Sequence, residues 1–69
     1  MKAKVIIDNK HKLILKNLLD FYHIEILNQE NNVGTNNIVL MIEGDETNID
    51  LMRNDYKETT KYTLIWKKT

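Results

Sequence analysis

The chain is predicted to fold as an α+β sandwich with the order strand, helix, strand, strand, helix, strand. Two observations carry the prediction. Val5-Ile6-Ile7 and Ile38 to Ile42 are runs apolar on both faces, the mark of strands covered by neighbours. Two further segments, after Asp8 and after Asp45, space their apolar residues as a helix does.

The first strand is read as Lys2 to Asp8, its centre β-branched. Asp8 or Asn9 supplies a helix cap, and Ile14, Leu15, Leu18 and Tyr22 fall on one helical stripe, with His11 one turn earlier. Leu13 points away from that stripe. Tyr22 to Asn28 alternates apolar and polar through Ile26, which predicts a strand with one wet face at a sheet edge, with His23 on the polar side. Gln29 to Asn37 is a polar connection containing Gly34. The third strand runs from Asn37 or Ile38 through Glu43. Gly44 to Thr47 reads as turn and cap, with Thr47 and Asp50 spaced as a capping box. Ile49, Met52 and Tyr56 form the second helical stripe. Lys61 to Lys68 is the last strand, with Tyr62, Leu64 and Trp66 on one face.

This order is the split βαβ, or ferredoxin-like, pattern, whose four-stranded antiparallel sheet has the order 4-1-3-2 with two helices on one face. It places the first and third strands in the centre, and those are the two runs that are apolar on both sides. Val5, Ile7, Leu15, Leu18, Ile24, Ile38, Leu40, Ile49 and Trp66 are the expected core.

A chain of 69 residues is one domain, and the prediction assigns residues 1–69 to it. With no cysteine, it can have neither a disulfide framework nor a thiolate metal site. No run approaches the ~18 apolar residues of a membrane span, so a soluble, cytoplasmic protein is expected. Asparagine and lysine are abundant and proline is absent, the bias of AT-rich coding found in phages and low-GC bacteria. A viral origin is the corresponding expectation.

Few residues can carry chemistry. His11 and His23 are the only imidazoles, and neither belongs to a ligand motif. Glu43, Asp45, Glu46 and Asp50 lack the spacing of a calcium loop and suit a helix start, where carboxylates offset the dipole. There is no serine, no threonine is set beside a histidine, and Gly34 and Gly44 stand apart from any phosphate-cradling motif. The third strand carries none of the aromatics on which an RNA-recognition sheet stacks bases. No catalytic residue, metal or cofactor is therefore assigned, and a non-enzymatic role is expected.

Two surfaces stand out. If Val5, Ile7, Ile38, Leu40 and Ile42 face the helices, then Ile6, Val39 and Met41 face outward, joined by Leu27 and Ile65 from the edge strands. Lys4, His23 and Glu25 are expected toward the margins of this face. So apolar a face predicts a protein partner or a second copy of the chain, hence a homodimer. Charge is also segregated. Residues 1–16 carry a net +4, residues 17–60 a net −7 and residues 61–69 a net +3. Because the first and last strands are neighbours, Lys4, Lys10, Lys12, Lys61 and Lys67 are expected on one basic side, the alternative basis for a nucleic-acid-binding role. The principal expectation is a small regulatory or inhibitory protein-binding module, phage-encoded, docking through its sheet face or an edge. No small-molecule substrate is expected.

Overall fold

In the computed structural model, which describes every residue except Val33, the strands are β1 (Lys2–Asp8), β2 (Glu25–Asn31), β3 (Asn37–Glu43) and β4 (Ile65–Lys68). The helices are α1 (Lys12–Phe21) and α2 (Glu46–Thr60), and a 3-10 turn, Asn9–His11, leads into α1. All pairings are antiparallel and the sheet order is β2-β3-β1-β4, the same as 4-1-3-2 read from the other edge. This is the ferredoxin-like α+β arrangement.

The register explains why the two apolar strands are central. Val5 stands opposite Leu40 and Ile7 opposite Ile38. Both pairs are buried with Ala3 and Ile42 against Leu15, Leu19, Ile49, Met52 and Tyr56 of the helices. Seven of the nine expected core residues are buried. Leu18 and Trp66 are only half-buried, each for a local reason. In α1 the stripe is centred on Leu15 and Leu19, so Leu18 sits on its flank and Leu19, absent from the expected core, lies inside. Trp66 stands on the edge strand β4, where the Arg53 guanidinium covers its ring at 4.1 Å from the centroid.

Element ends differ from the sequence expectation at four places. β2 begins at Glu25 rather than Tyr22, because α1 runs to Phe21 and His23 turns the chain at φ 57°. His23 therefore lies in the connection and not on a strand. β2 then continues through Gln29, Glu30 and Asn31, whose backbone pairs with Leu40, Val39 and Ile38. An edge strand tolerates such polar side chains, because its partner supplies the ladder. β4 begins at Ile65 rather than Lys61, since Lys61 closes α2 in the left-handed region and Tyr62 is exposed in the turn that follows. Finally, α2 is capped by Asp45, whose carboxylate accepts from the Thr47 amide at 2.9 Å, two residues earlier than the Thr47 cap expected.

No described helix is long and apolar enough to cross a membrane.

Candidate functional site

With both helices on one side, the other side of the sheet is bare. Side chains alternate along a strand, and directly paired residues share a face. Lys2, Lys4, Ile6 and Asp8 of β1 therefore lie on the open side, opposite Glu43, Met41, Val39 and Asn37 of β3. β4 adds Ile65 beside Ile6 and Lys67 beside Lys4. β2 adds Glu25 beside Glu43, Asn28 beside Met41 and Glu30 beside Val39.

Four of the five residues proposed from the sequence for a partner surface are thus contiguous. Ile65, Ile6 and Val39 form one row across three strands, and Met41 lies in the next. Ile6, Val39 and Met41 are half-buried by their neighbours, while Ile65 is 63% exposed. Leu27, the fifth, is the extra residue of a β-bulge between Ile26 and Asn28, at the margin next to Met41. Lys4, expected at the rim, instead lies inside the face between Met41 and Lys67.

The face is divided by charge. Glu25, Glu30 and Glu43 occupy the β2–β3 half, and Lys2, Lys4 and Lys67, with the one acid Asp8, the β1–β4 half. Lys2 and Glu43 are direct cross-strand neighbours, yet the one ion pair within 4 Å among the described residues is Arg53–Asp50 at 3.2 Å. These charges of the sheet are left without ion-pair partners among the described residues.

The five lysines of the expected basic side lie on several elements. Lys4 and Lys67 are cross-strand neighbours on the open face. Lys10 is in the 3-10 turn after β1, with its Nζ 5.2 Å from the centroid of the Tyr62 ring. Lys61 caps α2, and Lys12 opens α1. The strand pairing joins two of them, and the remaining three belong to other elements.

Two concave features accompany the face. A cleft of about 210 Å³ at the end of β1 is lined by Ile6, Asp8, Lys10, His11, Tyr56 and Tyr62, among others. Its polar groups satisfy one another. His11 Nδ1 and the Tyr56 hydroxyl are 3.0 Å apart, and the Asp8 carboxylate accepts from the Lys10 amide at 3.0 Å. This arrangement locks the 3-10 turn to α2. A shallower groove between α1 and α2 is lined by Ile14, Leu18 and Phe21. Leu13 and Phe21, at 72% and 71% exposure, are the most exposed large apolar side chains, and sequence reasoning passed over Phe21. Its signal was available: at about 100° per residue, Phe21 falls on the far side of the helix from Leu15 and Leu19.

Comparison with protein-family models, with curated proteins and with solved structures finds no match to this chain.

Proposed function

We propose that this protein is a non-enzymatic docking module that binds another protein surface through the open face of its sheet. The observation that carries this reading is the contiguous row Ile65–Ile6–Val39, with Met41 beside it and charged residues around it. An apolar centre with a polar margin is the composition of protein interfaces. Both sheet edges are poor alternatives. β2 is interrupted by its bulge and carries Glu25 and Glu30, and β4 is only four residues long and carries Lys67 and Lys68. Bulges, short strands and charges are the devices that discourage edge pairing. A docking module without its own chemistry acts by occupying or blocking its partner, which is the sense in which a regulatory or inhibitory role follows.

Val39→Glu tests the reading, with Met41→Glu as its companion. Either puts a carboxylate into the centre of the face without touching the core. The expected outcome is an unchanged far-ultraviolet spectrum with loss of association. Association is read by light scattering and by recovery of specific partners on the tagged protein after nuclease treatment. Unchanged mass and unchanged partners in both variants would overturn the proposal. Loss of binding on nuclease treatment would instead mark a phosphate-dependent interaction.

A further inference from the structure

Resting on the docking reading, we infer that the occupant of the open face is a second copy of this chain, packed face to face about a twofold axis parallel to the strands. The inference comes from how charge is laid out across the sheet. From one edge to the other the open face runs from acidic β2 through β3 and β1 to basic β4. A twofold axis along the strands reverses that order in the second copy while leaving position along the strands unchanged. β2 then lies over the second copy's β4, and β3 over its β1.

The register makes the match specific. Lys2 and Glu43 share one row across β1 and β3, so Glu43 faces the second copy's Lys2, and the converse. Ile6 and Val39 share another row, so Val39 packs on the second copy's Ile6. Met41 meets the aliphatic stem of the second copy's Lys4, a contact that long basic side chains make while their charge reaches solvent. At the edges Glu30 stands over the second copy's Ile65, and Asn28 over its Lys67.

Other symmetric arrangements match that layout less well. An axis in the interface but perpendicular to the strands stacks each strand on its own copy, so that acidic β2 lies over β2 and basic β4 over β4, although it sets Lys2 over Asp8. An axis normal to the sheet joins like edges, again with like charges adjacent. Only the strand-parallel dyad lays the acidic β2–β3 half over the β1–β4 half, with Glu43 over Lys2 twice. Aligned packing of this kind is also the ordinary geometry for two sheets sharing an inner layer ~10 Å thick.

Area sets the strength. Strands about 4.8 Å apart rising about 3.3 Å per residue give this four-stranded face roughly 400 Å². A standard stable interface buries about 800 Å² per partner, so the dimer belongs to the weak, reversible class.

The test exchanges charge across the one charged row that the dyad pairs. K2E sets a carboxylate over the second copy's Glu43, and E43K sets an ammonium over its Lys2. Sedimentation equilibrium across a concentration series should show a reversible dimer for the wild type and at least a ~10-fold weaker one for each variant alone. An equimolar mixture should recover association. In the mixed dimer the carboxylate introduced by K2E meets the ammonium introduced by E43K, and the native Glu43 of the first variant meets the native Lys2 of the second. Thermal midpoints confirm that each variant folds. A wild type that stays monomeric, variants that dimerise like it, or a mixture that fails to recover would overturn the inference. The docking reading is separable from it. A monomeric wild type whose partner capture is still lost in Val39→Glu keeps the docking face and removes the second copy.

Discussion

Lys61 ends α2 with φ 68°, in the left-handed region that favours glycine, and its amide donates to the Lys57 carbonyl at 2.8 Å. Its Cβ is strained there, and nothing about the side chain requires lysine, which is exposed. Lys61→Gly should raise stability by a few tenths to about 1 kcal/mol, since relief of the strain outweighs glycine's entropy in the unfolded chain. A higher urea midpoint with an unchanged slope is the expected result. Leu40 is the opposite case. It is fully buried in β3, opposite Val5, and its side chain belongs to the core shared with both helices. Leu40→Ala should cost about 2–5 kcal/mol, from lost transfer energy and the cavity left behind. For a domain whose total margin is roughly 3–5 kcal/mol, that unfolds much of the population, as circular dichroism at room temperature would show.

At the scale of elements, the two helices are joined by polar contacts as well as by the core. The Tyr22 hydroxyl at the end of α1 donates to the Asp55 carboxylate of α2, and Tyr56 of α2 meets His11 in the turn before α1. The Tyr22 pKa is raised above its ordinary 10.0, first by the hydrogen bond to Asp55, then by desolvation and by the carboxylate's charge. Tyr56 is raised first by burial, against a lowering hydrogen bond with Thr60 and with a further push from Asp8. In both, the fold favours the neutral phenol. Their stabilisation is complete below the unfolded value near 10 and is lost as pH rises through the higher folded values. The thermal midpoint should therefore fall on the alkaline side. Tyr22→Phe should lower it at neutral pH and flatten that alkaline fall. A fall of undiminished steepness in the variant would assign the effect to other groups.

For the whole molecule, the useful comparison is between periodicity and register. The βαββαβ order and the central place of β1 and β3 were legible because burial on both faces leaves an uninterrupted apolar run. The alternation of Ile38, Leu40 and Ile42 with Val39 and Met41 was legible for the same reason, since strand side chains have a period of two. Element ends were less so. The phase of α1, shifted from Leu18 to Leu19, depends on the angle at which the helix meets the sheet. The left-handed turns at His23 and Lys61, which delay β2 and β4, are held by neighbouring elements and not by glycine. The bulge at Leu27 likewise follows from matching β2 to β3, and local composition carries no mark of it.

The candidate face divides in the same way. Its apolar members could be named from alternation alone, and the segregation of charge along the chain could be counted. Sequence position cannot say which charges share a face, because that depends on strand pairing between residues far apart in the chain. The pairing of β1 with both β3 and β4 sets Lys4 beside Lys67 and Lys2 beside Glu43, while Lys10, Lys12 and Lys61 fall on other elements. Element order, the covered strands and the apolar alternation were readable in the chain because they rest on local periodicity. That three glutamates and three lysines of the open face gather in opposite halves of one sheet comes from strand pairing, because antiparallel register is a property of strands brought together from across the chain.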